Sequence, residues 1–391
     1  MKTVRIIHTG DFHISQTSQV KITRIVKKET TPINVRTIDI FQKINKVIDF
    51  AVEKKAHIFI ITGDVFQTHN QPLFLQRWLA RCLKRLIDKN IYVIVLVGNH
   101  DTNGDVNPFV MLKGLSSKGL YVMDEPGTIP IKIEDNMYYF QVIPFLPPNS
   151  KNNIHEWLAT HRENRRLLDS KRNILVAHFG VNGAVGPNDL IMNDNNGVKE
   201  DELRGWDYVA LGDYHKNQKI GVNPRIRKAN EIWYCGSLQR HDMAEPEKKY
   251  FNYVIFHDKG LPEVQRILMS DRQYLKMKLN YIQALKFKFI SDNVKIKKGS
   301  IINIIIRCTK EQEIKFPEKA FRNVLEKIYK VKYLIIDYDI IKQKKNRIKK
   351  IEQIDDEQII RNHIMKHNTK INIEKIMKSF KYIKEKSEEN V

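Results

Sequence analysis

Short apolar runs recur along the first 212 residues, each closing on glycine or histidine: VRIIHTG, HIFIITG, IYVIVLVG, NILVAH and DYVALG. Runs of this length with little alternation predict buried β-strands. Between the first two, Ile40, Phe41, Ile44, Val47, Ile48 and Ala51 recur at helical spacing. Pro72 opens a second helical pattern carrying Leu75, Trp78, Leu79, Cys82, Leu83 and Leu86, and YVIVLV follows. A βαβαβ beginning predicts an α/β sandwich. Later runs (IPIKI, MYYFQVI, NQKIGV, EIWYCG, NYVIFH) are separated by turn residues and predict a more antiparallel second half. The pattern shifts near Gly260-Leu261-Pro262. Residues 261–340 predict a small α+β domain, and 341–391 a helix-loop-helix on a charged tether, with Ile373, Ile376, Met377, Phe380 and Ile383 on one face.

The charge balance is strongly basic. The 391 residues hold 67 Lys and Arg against 45 Asp and Glu, a net of +22, which predicts attraction to polyanions, nucleic acid before anionic membrane. A lysine- and isoleucine-rich proteome with basic surfaces throughout is the bland alternative. Three scattered cysteines suggest no disulfide framework, and no run reaches the ~20 apolar residues of a membrane span. With no signal-peptide pattern after Met1, a cytoplasmic or nucleoid-associated location is expected, or the host cytoplasm if the chain is phage-encoded.

The ends of the apolar runs carry the candidate chemistry: Asp11-Phe12-His13, Gly63-Asp64, Gly98-Asn99-His100-Asp101, His178 and Gly212-Asp213-Tyr214-His215. Singly each has an ordinary explanation, since Gly-Asp after a strand is usually a turn and a lone histidine usually sits at a core edge. Five in order, each at a strand end, are hard to reach by chance. Strand ends converge in space, so these residues can form one ligand cluster. Cleaving a phosphodiester adds negative charge to an anion, and two divalent cations ~3.5–4 Å apart can clamp that charge and ionise a water. Carboxylate and amide oxygens with imidazoles suit Mn²⁺ first, with Mg²⁺, Fe²⁺ and Zn²⁺ as competitors. Asp64 can bridge both ions, with Asp11, His13, Asn99, His178, Asp213 and His215 completing the shells.

The phrases HTGDFHI, FIITGDVFQTHNQP, VLVGNHD, WDYVALGDYHKNQ and IWYCGSLQR resemble the calcineurin-like metallophosphoesterases, in particular their DNA-repair nuclease branch: bacterial SbcD, the meiotic-recombination-eleven nuclease and phage counterparts. The resemblance covers about residues 1–260 strongly and the remainder in layout. It implies a four-layer α/β/β/α sandwich with a capping domain that binds DNA. One ion would be held by Asp11, His13, Asp64 and His215, and the other by Asp64, Asn99, His178 and Asp213. It makes His100 the general acid or transition-state donor, with Asp101 orienting its imidazole. The activity implied is Mn²⁺-dependent 3′–5′ double-strand exonuclease and single-strand endonuclease, gated by an SbcC-type ABC ATPase whose coiled coil binds the C-terminal stripe. A small-substrate phosphomonoesterase or cyclic-nucleotide phosphodiesterase, and a non-catalytic scaffold subunit, are the competing functions.

Surface candidates follow. Residues 216–298 hold 18 Lys and Arg against 8 Asp and Glu, a net of +10, and Lys216, Lys219, Arg225, Arg227, Lys228 and Arg240 are candidate phosphate contacts. Lys21, Arg24, Lys27, Lys28 and Arg36 add a basic insertion. Trp78, Leu79, Phe109 and Met111 match either a homodimer surface or ordinary core.

Two positions depart from the family pattern. Gln67 stands where members often carry histidine or aspartate, leaving the preference for duplex ends or single strands open. Asp213 replaces the first histidine of the usual Gly-His-x-His, lowering the cluster's formal charge from about +2 to about +1. Asp213→His is therefore expected to loosen Mn²⁺ or Mg²⁺ while strengthening Lewis acidity. Calorimetric affinity measured beside turnover checks this, and a gain in both would contradict it.

Overall fold

The computed structural model describes residues 3–16, 25–28, 31–103, 108–109, 119–147, 153–164, 172–186, 189–194, 197–221, 231–241, 245, 248–269, 272–287, 294–341 and 374. The chain forms two compact units, Met1–Asp271 and Arg272–Val391. Met111, Arg225, Arg227, Lys228 and the stripe Ile373, Ile376, Met377, Phe380 lie outside the described residues.

The first unit is built on two six-stranded sheets. One contains β1 (Val4–Thr9), β4 (Ile58–Ile61), β5 (Tyr92–Leu96), β6 (Leu120–Met123), β13 (Lys249–Phe256) and β14 (Glu263–Met269), in the order β14-β13-β1-β4-β5-β6. A small hairpin of β2 (Ile25–Lys28) and β3 (Thr31–Asn34) leads into helix α1 (Val35–Glu53), and α2 (Leu73–Ile87) precedes β5. The other sheet contains β7 (Gly127–Ile133), β8 (Asn136–Ile143), β9 (Arg172–His178), β10 (Tyr208–Gly212), β11 (Gln218–Ile220) and β12 (Glu231–Tyr234), in the order β11-β12-β10-β9-β8-β7. Helix α3 (Ile154–Asn164) joins β8 to β9.

The layers follow from where each strand sends its alternate side chains. Ile6, Ile58, Ile60, Ile94 and Leu96 of the first sheet pack against Phe140, Val142, Ile174, Val176 and Ala210 of the second, forming a dry core between them. Ile7, Phe59, Ile61, Val93 and Val95 point the other way, onto Ile44, Val47, Ile48 of α1 and Leu79, Leu83, Leu86 of α2. Leu158 of α3 lies over Leu175, Val209 and Leu211 on the far face of the second sheet. The order helix, sheet, sheet, helix is the four-layer sandwich expected.

The later strands are more antiparallel than the early ones, as expected: β1, β4, β5 and β6 pair in parallel, whereas β7–β8, β11–β12, β1–β13 and β13–β14 pair antiparallel. The second sheet nevertheless keeps a parallel centre. β8, β9, β10 and β12 run parallel, and antiparallel pairing in this sheet is confined to the edge strands β7 and β11. Direction is set by connections such as α3, and an apolar run does not encode it. The first unit also reaches past residue 260, because β14 pairs along β13 from Glu263↔Ile255 to Met269↔Lys249.

The second unit has three parallel strands, β15 (Tyr274–Asn280), β16 (Ile301–Cys308) and β17 (Tyr333–Ile340), with β16 central. Short helices α4 (Tyr281–Leu285), α5 (Lys310–Lys315) and α6 (Glu318–Asn323) accompany them, and Phe287, Phe316, Phe321 and Leu325 close a separate core over Ile302, Ile304 and Ile306. No helix among the described residues is long and apolar enough to cross a membrane.

His8 ties the two sheets together. Its Nδ1 lies 2.8 Å from the Tyr208 hydroxyl and its Nε2 3.2 Å from Leu211 O, so Nε2–H donates to the carbonyl and Nδ1 accepts from the hydroxyl. Burial lowers its pKa from 6.5 to about 3. The unfolded chain therefore takes up a proton at this residue below pH 6.5 that the folded protein refuses until about pH 3. Stability is full above the unfolded value and falls with pH across that window. His8→Gln is expected to flatten this slope in thermal melts between pH 4 and 6.5, and parallel slopes would show that His8 already carries the proton.

Candidate metal centre

The motifs meet where β1, β4, β5, β9 and β10 end. The chain leaves β1 and β4 side by side: Asp11 N donates to Gly63 O, His13 N to Asp64 O and Ile14 N to Val65 O, at 2.9–3.0 Å. Asp11, His13, Asp64 and Asp213 all adopt left-handed backbone, with φ of 48°, 47°, 48° and 104°. Non-glycine residues seldom do this, and it persists where surrounding contacts over-determine it. The turn swings each side chain off its strand into a common pocket. Gly98 permits the closest approach, since a Cβ there would lie 2.2 Å from Asp64 Oδ1.

Asp64 stands at the centre. Its Oδ2 is 3.6 Å from His13 Nε2, which in turn faces His215 Nε2 at 2.8 Å. Its Oδ1 is 3.5 Å from His178 Nε2, which faces Asn99 Oδ1 at 2.9 Å. Two groups therefore share one carboxylate, His13 with His215 on one oxygen and His178 with Asn99 on the other. Asp11 Oδ1 accepts from Asp213 N at 3.0 Å, joining the first motif to the last.

Hydrogen bonds made by the other ring nitrogens fix the tautomers. His178 Nδ1 lies 2.6 Å from Thr62 O and so carries hydrogen, which turns the Nε2 lone pair of the neutral ring towards Asn99 Oδ1 and Asp64. His215 Nδ1 lies 2.8 Å from Glu245 Oε1, so its Nε2 lone pair faces His13. Acceptors aimed at one another repel unless a cation or an extra proton lies among them. Asp11 Oδ2 is buried without a partner. Burial raises Asp11 to about 7 and also raises Asp213. Burial alone would lower His178, yet Asp64, Asp213 and Asp11 raise it on balance. This donor set fits hard or borderline divalent cations.

His100 lies beside the first group. One of its ring nitrogens, one of His13 and a carboxylate oxygen of Asp64 fall within 4.8 Å of one another. Its Nδ1 donates to Gln67 O at 3.0 Å, leaving Nε2 to the pocket. Asp101 does not orient this ring, contrary to expectation. Its buried carboxylate accepts instead from Val65 N, Phe66 N and Gly98 N at 2.7–3.1 Å, binding the loop after β4 to the loop after β5. The orienting residue is Gln67, through its backbone carbonyl and with its side-chain Nε2 3.4 Å from the same ring nitrogen.

Residues 4–217 match the calcineurin-like phosphoesterase family, more than half of the chain. The chain belongs to this family. Relatives include two archaeal proteins named DNA double-strand break repair protein Mre11. The one from Methanosarcina acetivorans is 25% identical over 70% of this chain and 40% of its own length. The one from Sulfurisphaera tokodaii is 24% identical over 78% of this chain and 74% of its own length. The SbcD component of the nuclease SbcCD of Escherichia coli is 22% identical over 68% of each chain. The chain thus spans two fifths of the first of these and about three quarters of the second.

Several surface expectations change. Leu79 and Phe109 are fully buried in the core beneath the first sheet, packed with α1 and Phe66, so neither can form a dimer surface. Trp78 is half-buried, edge-on to Phe41 and Phe74. Arg36 and Arg240 are also buried, with Arg36 donating to Arg240 O at 2.7 Å, so neither belongs to a solvent-facing basic stripe. Lys216 pairs with Asp189 at 2.7 Å and Lys219 with Glu231 at 2.6 Å.

Sequence reasoning missed three residues at the site. His241 packs its ring 4.8 Å from that of His13 and 5.1 Å from that of His215. Glu245 and Lys249 lie behind His215. None sits in a strand-end motif, and the only signal available was the two polar residues' spacing of four ahead of an apolar strand. Removing Asp101 strands three backbone N–H groups in a dry loop junction, so Asp101→Ala is expected to cost roughly 2 kcal/mol or more in denaturant unfolding. Unchanged stability with reduced turnover would return Asp101 to a role at His100.

Proposed function

We propose that this chain is a metal-dependent DNA nuclease, the SbcD-like subunit of a DNA end-processing complex that hydrolyses phosphodiesters with two divalent ions, Mn²⁺ by preference. The observation carrying this reading is the division of imidazole and amide groups across Asp64, His13 with His215 at Oδ2 and His178 with Asn99 at Oδ1. Following the family resemblance, Asp11 would join the first set in holding one ion and Asp213 the second set in holding the other. Bound there, the ions would supply positive charge to a phosphoryl group and make water more acidic. The protein's own groups do the rest. Thr62 O and Glu245 hold the imidazoles of His178 and His215 in the tautomer that presents Nε2. Gln67 O holds His100 so that Nε2–H of the protonated ring can donate to a phosphoryl or leaving oxygen in the pocket.

DNA as substrate rests on the names of the relatives and on the basic segment 216–298. Both single- and double-strand cleavage, a homodimer, and docking of the C-terminal stripe on an SbcC-type ATPase coiled coil belong to the same proposal, with the second unit, from residue 272, as capping domain. A small-substrate phosphoesterase is the second reading, favoured by the internal pairing of Lys216 and Lys219 and the burial of Arg240.

Incubation with Mn²⁺ and end-labelled duplex, circular single strands or p-nitrophenyl phosphate separates the two. Cleavage of DNA is expected, and His100→Ala should lower it by about 10²–10⁴-fold with Mn²⁺ still bound. Turnover of p-nitrophenyl phosphate alone would select the small-substrate reading.

A further inference from the structure

A buried ionic chain runs away from the metal pocket behind His215. Glu245 Oε1 lies 2.8 Å from His215 Nδ1, and Oε2 lies 2.5 Å from Lys249 Nζ. The Lys249 side chain is 2% exposed. Its ammonium also donates to Ser237 Oγ at 2.8 Å and His215 O at 3.1 Å, so all three of its protons are directed. Each anchor belongs to the framework. Lys249 is the first residue of β13 in the first sheet, and Ser237, just beyond β12 of the second, bridges to Gly10 ahead of the first motif. Gly236 makes this approach feasible, with φ of 69° and a would-be Cβ 2.8 Å from His215 O.

A buried ion pair is a poor device for stability, because apolar residues of similar volume serve as well or better. Its geometry here has a different consequence. A carboxylate that can only accept forces hydrogen onto His215 Nδ1 and leaves Nε2 as a lone pair, pointed at His13 Nε2 and the first group of ligands. It also makes the imidazole a stronger donor to a cation. Lys249 in turn fixes the carboxylate's orientation, so that the pair is set before any metal arrives.

We propose that Glu245, held by Lys249, is a positioning residue for the His13–His215 metal site and sets that site's affinity independently of the Asn99–His178 site. This rests on the two-metal reading above. Neither residue touches substrate.

The test is Mn²⁺ binding to the full-length protein, followed by calorimetry and by electron paramagnetic resonance, for wild type, Glu245→Ala, Glu245→Gln and His215→Ala. Wild type is expected to bind two ions. Glu245→Ala should weaken one of them by about 10- to 100-fold, the same one that His215→Ala eliminates, and leave the other unchanged. Glu245→Gln keeps an acceptor for Nδ1–H and should recover part of the loss. Should Glu245→Ala not fold, Glu245→Gln with ¹⁵N-histidine NMR of the metal-free protein gives the second readout. The His215 signal should show Nδ1–H in wild type and a mixed tautomer in the variant. Two ions bound by Glu245→Ala within twofold of wild type, or an unaltered tautomer in Glu245→Gln, overturns the proposal. No ion bound by wild type overturns the metal reading instead.

Discussion

His13 with His215 and His178 with Asn99 meet the two oxygens of buried Asp64, and most of the local architecture serves to keep these groups there. The rings of His178 and His215 present Nε2 to Asn99 Oδ1 at 2.9 Å and to His13 Nε2 at 2.8 Å. They are held by bonds on the opposite side of each ring: Thr62 O behind His178, Glu245 behind His215 and Gln67 O behind His100. The strained left-handed residues at the strand ends are the backbone counterpart of the same constraint. A cation held among them would stabilise the whole arrangement at once, and metal binding and local order would then be two aspects of one equilibrium.

The sandwich makes that possible because its two sheets end at one place. Asp11, His13, Asp64 and Asn99 come from loops of the first sheet, and His178, Asp213 and His215 from the second. Ligands on different sheets stay aligned only if the sheets cannot slide. His8, bonded from β1 to Tyr208 and Leu211 on β10, lies three residues before Asp11 and locks that seam. Asp101 performs the equivalent task between neighbouring loops of the first sheet. Both are buried polar groups with satisfied bonds, which specify a unique alignment where apolar packing alone would tolerate several.

The sequence carried the parts of this that are local. Apolar runs identified the buried strands, 3.6-residue spacing identified α1 and α2, and acidic and imidazole residues at the run ends identified the cluster. What it withheld is non-local. Leu79 and Phe109 have the same periodicity whether they face a partner or the neighbouring helix, and only the position of α1 and Phe66 decides it. Asp101 adjoins His100 in sequence, yet its carboxylate turns back to cap three N–H groups, a choice made by the loop after β4. Glu245 and Lys249 lie 30 and 34 residues beyond His215, in a segment whose charges look like ordinary surface.

That last point bears on the net charge of +22. Charge counted along a chain suggests a surface property, yet several of these cations are internal fasteners. Arg36 donates to Arg240 O, Lys43 to Leu238 O and Lys249 to His215 O, all from buried positions around the loop that follows β12. Lys216 and Lys219 spend their charge on Asp189 and Glu231. Each ion pair removes one charge of either sign and leaves the net excess unchanged, so pairing bears on where the excess lies, which segment sums do not show.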